Sequence, residues 1–200
     1  MNKIELYNKL RKLGFSERIV NAMEKIDRID FVSEDMKNYA YYDVPLPIGH
    51  GQTISQPYTV AFMLDKLEIK PGMKILDVGS GSGWTTALLA NIVGERGEVI
   101  GVEILDELVN IGQKNLKKYN LKNAKIIPAQ KGTYGFPTEG PYDRILVSAA
   151  ASKKIPTDLM KQLRTKGILV SAVDTRIEKY TDMKKEAWEG FSFVPLKEVN

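Results

Sequence analysis

Residues 73–84 read MKILDVGSGSGW, and the order of patterns in this run sets the fold of the chain. An apolar, strand-like stretch meets three glycines at alternate positions, Gly79, Gly81 and Gly83, and a helical pattern follows in WTTALLANIV, 84–93. Glycines between a strand and a helix let a ligand approach the backbone, and the helix N-terminus then faces that ligand. Working outward, GEVIGVE (97–103) is strand-like and LDELVNIGQKNLKKYN (105–120) helical. AKIIPA (124–129) and YDRILVSAA (142–150) predict strands, IPTDLMKQLR (155–164) a helix and KGILVSAV (166–173) a strand. GFSFVPL (190–196) alternates apolar with small or polar residues and predicts a closing strand. Such alternation predicts an α/β fold with a doubly wound, mainly parallel sheet and helices on both faces.

Upstream, IELYNKLRKL (4–13) and SERIVNAMEKI (16–26) place apolar residues at helical spacing, with Ser16 available as an N-cap. DVPLPIGHGQTIS (43–55) holds two prolines and two glycines and predicts a loop, ordered or mobile. Pro57 then stands where a proline opens a helix, ahead of PYTVAFMLDKLE. The organisation expected is one domain over 1–200, with a helical lobe and loop over 1–56 and a cofactor-binding α/β core over 57–200.

Composition narrows the function. Two hundred residues with 43% apolar content suit one well-cored domain. The net charge is +4, but the positives are scattered among 25 acidic residues, and the lysines of QKNLKKYNLKNAK (113–125) read as a solvated helix face. Nucleic acid is therefore not the expected partner. The chain has no cysteine, which excludes disulfides, thiolate nucleophiles and thiolate metal sites, and its single histidine, His50, argues against a zinc cluster. No metal is expected. No stretch reads as a signal peptide or a membrane span, so a cytoplasmic protein is expected.

The glycine run is not a dinucleotide fingerprint, which would want glycine where this chain has Trp84. An acid two residues before the first glycine, Asp77, better suits S-adenosylmethionine, a ligand without a pyrophosphate but with a cationic amino group and sulfonium. Glu103 closes the next strand, where a carboxylate can accept both ribose hydroxyls.

With these residues in view, the chain resembles the protein-L-isoaspartate (D-aspartate) O-methyltransferases over nearly its whole length. The likeness runs through YAYYDVPLPIGHGQTISQPYTVAFML (39–64), LDVGSGSGWTTALLA (76–90), PYDRILVSAAA (141–151), IPTDLMKQL (155–163) and FVPL (193–196). GQTIS is its most specific part. The resemblance implies a class I S-adenosylmethionine-dependent methyltransferase fold and methyl transfer to the free carboxylate of L-isoaspartyl or D-aspartyl residues in damaged proteins. The ester then permits succinimide closure, and hydrolysis of the ring returns some aspartate, which is repair. The partners implied are isoaspartyl-containing proteins and peptides, and the chain is expected to act as a monomer.

A carboxylate is already ionised at neutral pH, so this chemistry needs no general base. The difficulty is to set one oxygen in line with the sulfonium methyl at roughly 3 Å and to exclude water. The resemblance gives Ser55 that orienting role, with Gln52, Thr53 and Ile54 over the cofactor; capping of the next helix is the competing use of Ser55. His50 has no proton to move, and Tyr39, Tyr41 and Tyr42 read as lobe packing, with a wall of the substrate cleft as the alternative. Asp143 is expected to meet Arg144 or solvent. Ser148 and the alanines after it fall at the C-terminal end of a strand, where small side chains leave room for a peptide.

The chain departs from the family in two places. Gln130-Lys131-Gly132 stands where the family has Gly-Asp-Gly, so the acid expected at the adenine amino group is a cation here. Gln130 and Gly132 remain as the cofactor contacts of that turn, and Lys131 is expected to face solvent. The segment after ILVSAV is short, with Asp174-Thr175 in place of a glycine. Three readings stay open: an isoaspartyl methyltransferase, a methyltransferase for tRNA or a modified peptide, and a non-catalytic cofactor binder. GQTIS speaks against the second, and Asp77 with Glu103 against the third.

Overall fold

The structure is a computed structural model that describes residues 1–197; positions 198–200, the end of the α/β core assigned from sequence, lie outside the described residues. Helix α1 (Lys3–Lys12) is closed by a reciprocal capping box between Asn2 and Glu5. Helix α2 (Glu17–Lys25) follows, burying Ile19, Val20 and Met23 on one face. Ser16 occupies its N-cap position without a side-chain capping bond. Two short 3-10 turns, Arg28–Phe31 and Glu34–Tyr39, lead to a two-stranded antiparallel hairpin, β1 (Leu46–Gly49) and β2 (Gln52–Ile54). The stretch expected to be a loop is thus a hairpin. Its turn is His50-Gly51, both at positive φ (54° and 70°). Helix α3 (Pro57–Lys66) opens on Pro57, with Gln56 and not Ser55 at its N-cap.

The remaining chain builds a seven-stranded sheet from β3 (Lys74–Val78), β4 (Glu98–Glu103), β5 (Ala124–Pro128), β6 (Tyr142–Ala151), β7 (Leu163–Val173), β8 (Arg176–Tyr180) and β9 (Lys185–Glu189). Their spatial order is β5-β4-β3-β6-β7-β8-β9. Strands β3 to β7 run parallel, and β8 and β9 add antiparallel edges. Helices α4 (Trp84–Val93) and α5 (Asp106–Lys118) are the crossovers after β3 and β4. Strand order reverses at β3, whose neighbours are β4 and β6, and the crevice beyond the carboxyl ends at such a switch point is where this architecture binds ligands.

Two clusters fill the two faces of the sheet. One runs continuously from Leu6 in α1 through α2, α3 and α4 to Ile177 in β8, so the helical lobe and the α/β core share apolar packing. The other packs Leu76, Ile100, Ile145 and Leu169 against Leu159.

Three expectations are corrected here. The helix after residue 155 is only α6 (Thr157–Lys161), because Leu163 already pairs with Tyr142 in β7. The closing strand is β9 and not GFSFVPL. That tail instead straps the end of β6, with Ala150 N–H donating to Val194 O at 2.7 Å and Leu196 N–H to Ala150 O at 2.8 Å. Asp143 is engaged by the Lys74 N–H at 2.8 Å and by Arg164 at 2.8 Å, and Arg144 reaches only its backbone carbonyl.

The short β7–β8 turn works without glycine because Asp174 takes φ 51°, a region that aspartate tolerates. Thr175 O on that turn accepts from Gly190 and Phe191 N–H at 3.1 and 2.9 Å, anchoring the tail. Within β8, buried Glu178 receives both Arg176 and Lys185 at 2.6 Å, and this ion cluster ties β9 to the sheet. No helix among the described residues is long and apolar enough to cross a membrane.

Candidate active site

The turn after β3 is built almost entirely from its own backbone and the neighbouring strand. Gly79 and Ser80 N–H donate to Val102 O at 2.9 and 3.1 Å, continuing the β3–β4 ladder around the bend. Gly81 N–H donates to a Glu103 carboxylate oxygen at 2.8 Å. The other Glu103 oxygen accepts from Ile104 N–H at 2.8 Å and Leu105 N–H at 3.2 Å. A carboxylate has about four lone-pair sites, so these three bonds hold Glu103 rigid and leave acceptor capacity toward the cleft it lines. Gly83 caps α4 at φ 91°, and a Cβ there would stand 2.9 Å from the Ile126 side chain and 3.2 Å from Gly112 Cα. Only glycine fits that close approach of α4 to α5 and β5.

Behind this turn Asp77 is wholly buried. Its Oδ2 accepts from Thr85 at 2.6 Å and Thr86 at 2.7 Å, while Oδ1 has no hydrogen-bond partner among the described residues. Burial pushes the Asp77 carboxyl up to about 6; the threonine hydrogen bonds oppose the rise and the Glu103 charge adds to it. Ser80 Oγ and Ser148 Oγ are also buried without hydrogen-bond partners among the described residues. Unsatisfied buried polar groups cost on the order of 1–3 kcal/mol each, so this concentration at the ends of β3 and β6 suits a polar ligand. A carboxylate with hydroxyls around it fits a cationic amino group, and Glu103 fits a diol. By these donor sets the site suits S-adenosylmethionine.

The opposite wall is the β1–β2 hairpin with Ser55. It rests on Arg28, whose guanidinium is fully buried among carbonyl oxygens. Nη1 donates to Ala40 O (2.9 Å) and Tyr42 O (3.2 Å), and Nη2 to Val44 O (2.9 Å), Ile54 O (3.4 Å) and Ser55 O (3.1 Å). The group also lies over the Trp84 ring, 5.5 Å from its centroid, and Trp84 donates to Ile26 O at 3.1 Å. Burial lowers the Arg28 pKa to about 10, which leaves it cationic at neutral pH. Sequence reading passed over Arg28, because a single arginine beside a charged turn looks like any surface residue.

Between these walls lies a cleft of about 1100 Å³, counting the open space at its mouth. Gln52, Thr53, Ile54, Ser55, Gly79, Gly81 and Glu103 all line it, with Trp84, Thr85 and the strap residues Val194–Lys197. Asp77 lies beneath the lining and reaches the cleft through Thr85. Gly83 is spent on packing. Gln130 and Gly132 fall outside the wall: the chain leaves the ladder at Ala129, whose N–H still donates to Glu103 O at 2.8 Å, and swings outward through Gly132 at φ 67°. Ala129, Thr133 and Tyr134 line the cleft on either side of that excursion, and Lys131 is exposed. His50 is exposed at the hairpin turn. Tyr41 bonds Asp27 at 3.0 Å within the lobe.

A second cavity of about 1410 Å³, counting open solvent, adjoins the first, lined by Pro45, Tyr58 and the stretch Glu189–Val194. Thr53, Ser55, Ser148 and Val194 belong to both linings.

Comparison with known proteins agrees with this geometry. The family model for protein-L-isoaspartate(D-aspartate) O-methyltransferase (PCMT) matches residues 1–199. The chain is 43% identical over 202 residues to a protein-L-isoaspartate O-methyltransferase of Methanothrix thermoacetophila, covering 98% of this chain and 95% of that one. It is 42% identical over 202 residues to a protein of the same name from Methanopyrus kandleri, covering 96% and 89%. A Plasmodium falciparum protein of that description, solved in complex with S-adenosyl-L-homocysteine, superposes with a TM-score of 0.85 at 30% identity, covering 98% of this chain and 99% of that one. A methyl-donor cleft that opens onto a second cavity, and a likeness that extends over the whole length, lead to one assignment: the chain belongs to the protein-L-isoaspartate(D-aspartate) O-methyltransferase family.

Proposed function

We propose that the chain transfers the sulfonium methyl group of S-adenosylmethionine to the free carboxylate of L-isoaspartyl or D-aspartyl residues, with the donor in the glycine-walled cleft and the acceptor in the open cavity beside it. The observation that carries this reading is the wall common to both, where Ser55 and Ser148 stand between them. S-adenosylmethionine supplies an activated methyl group on a cationic sulfur. Asp77, with Ser80 and Ser148 near it, balances the positive amino end. Glu103 accepts from a ribose hydroxyl while its bonds to Gly81, Ile104 and Leu105 N–H keep it from turning away.

The Ser55 hydroxyl donates to one acceptor oxygen and so aims the other at the methyl group. Holding reactants in line is worth many powers of ten without any proton transfer, and an ionised carboxylate needs no base. Gln52, Thr53 and Ile54 cover the cofactor side of the cleft, and Val194–Lys197 close it from the β6 side, so that water is excluded from the transfer path. Ala149 and Ser148 at the end of β6 leave room for a peptide backbone. The reading takes the molecule as one functional unit, a cytoplasmic monomer acting on isoaspartyl-containing proteins.

The test is methyl transfer from labelled S-adenosylmethionine to a matched pair of isoaspartyl and aspartyl peptides, with bulk tRNA as a third acceptor. Selective labelling of the isoaspartyl peptide is expected. Label in tRNA, or cofactor binding with no acceptor labelled, would overturn the reading.

A further inference from the structure

Arg28 is an unusual expense for a structure of this size. A buried cation is costly to desolvate, and its hydrogen-bond partners here are five neutral carbonyl oxygens rather than a carboxylate. Those carbonyls come from two separate segments. Three belong to residues 40–44, the approach to the hairpin, and two belong to Ile54 and Ser55, where the hairpin ends. The hairpin itself is slight: its strands share three register pairs, with an irregularity between Pro47 and Gly49. Nothing in its own ladder sets where Ser55 stands relative to β3. Arg28 does so twice over, since it grips the Ser55 carbonyl from below and lies on Trp84, the first residue of the helix that follows the glycine turn.

We propose that Arg28 is a positioning residue for methyl transfer: its guanidinium fixes the backbone of Ile54 and Ser55 against the cofactor helix and thereby sets the direction of the Ser55 hydroxyl. The inference rests on the reading of Ser55 as the group that orients the acceptor. Only a planar fork with several fixed donors spans carbonyls from two segments. A lysine ammonium keeps the charge but offers three donors from one point. Methionine keeps the length and apolar stem, drops the charge, and removes every one of these bonds; replacing a buried charge by a packed apolar side chain is often tolerated by the fold.

The experiment compares Arg28→Lys and Arg28→Met with the parent and with Ser55→Ala, alone and combined. For each protein it measures thermal unfolding, S-adenosylhomocysteine affinity by calorimetry, and kcat on an isoaspartyl peptide. A displacement of about 1 Å at a reacting centre can cost on the order of 100-fold, so kcat is expected to fall roughly 10- to 100-fold in the Arg28 variants. S-adenosylhomocysteine affinity is expected to stay within about threefold. In the Ser55→Ala background the same replacements should cost less than about threefold further, because two residues acting as one unit are not additive. A merely structural role would instead lower affinity and turnover together, or multiply with the loss from Ser55→Ala. Either result overturns the proposal, as does full kcat in both Arg28 variants. Should Arg28→Lys fail to fold, Arg28→Met alone decides. Ser55→Ala at full turnover would remove the reading of Ser55 and the route drawn from it. A slow Ser55→Ala beside fully active Arg28 variants would remove only the role of Arg28.

Discussion

The glycine turn after β3 and the β1–β2 hairpin face each other across one cleft, yet they are held in place by different means. In the turn, each bond comes from a neighbour in the same ladder: Val102 O accepts Gly79 and Ser80 N–H, and the Glu103 carboxylate accepts Gly81 N–H. The sheet that carries the turn is buried on both faces, so its geometry follows from strand pairing alone. The hairpin has no sheet behind it. It is fastened from below by Arg28 and at its flank by Asp43, which accepts Tyr58 N–H at 2.9 Å. A cofactor wall set by strand pairing thus meets a hairpin wall held by long-range polar contacts and by Leu46, Ile48 and Ile54, which are buried in the apolar cluster shared with the helical lobe. Losses at Glu103 and Asp77 should appear in binding, and loss of the Ser55 hydroxyl in turnover.

The largest effect expected from this division is at Ser55. Ser55→Ala removes a donor that acts only on the acceptor, so kcat on an isoaspartyl peptide should fall by roughly 10- to 1000-fold, the scale of losing one positioned donor. S-adenosylhomocysteine affinity in the same protein should hardly change. A variant with full rate, or one that loses affinity instead, breaks the division at its centre.

On the other wall, Glu103→Ala deletes a charged acceptor and strands three backbone N–H groups. Losing a hydrogen bond to a charged group costs on the order of 1.5–3 kcal/mol, which corresponds to affinity for S-adenosylhomocysteine weakened about tenfold or more. Calorimetry on the folded variant measures it; unchanged affinity would dismiss Glu103 as the ribose acceptor.

Asp77 sharpens the comparison through pH. Its folded pKa of about 6 lies above the ordinary 3.8 because burial disfavours the charged form. The stabilisation linked to its proton is full below about pH 4 and is lost as pH rises through about 6. A cationic amino group prefers the ionised form, so binding works in the opposite direction. S-adenosylhomocysteine affinity should fall as pH drops below about 6, by up to about tenfold per unit. Asp77→Asn should flatten that slope, and an unaltered slope in this variant would assign the titration to another group.

The smallest change is expected at Lys131, which is exposed and stands outside the cleft lining. Surface replacements away from special contacts stay within about 0.5 kcal/mol, so Lys131→Asp should bind S-adenosylhomocysteine within about twofold of the parent. A substantial loss would show that the cation grips a ligand group after all.

The α/β order and the glycine turn were legible in the sequence because each rests on local signals. Strand and helix periods differ, glycine marks positive φ, and an acid at the end of β4 can reach only the turn beside it. The same locality explains the misreadings. GFSFVPL alternates as a strand does, but β9 takes the sheet edge and leaves this tail to strap Ala150 and line the cleft. Gln130 and Gly132 sit in a motif position, while Ala129, Thr133 and Tyr134 on either side of them line the cleft. DVPLPIGHGQTIS was expected to be a loop and is a hairpin, since two short strands with a Gly-containing turn pair only when something holds them.

That something is what tertiary structure alone decided. Arg28 meets Ser55 across 27 positions of chain, and Trp84 lies further still from the helical lobe it anchors. No pattern of spacing encodes such a contact, because a guanidinium finds its carbonyls only after the lobe has packed on the sheet. The sequence therefore specified the cofactor wall, where every partner is a neighbour in a ladder. The acceptor wall came from packing, where a single buried cation gathers two distant segments and sets Ser55 at the junction of the two cavities.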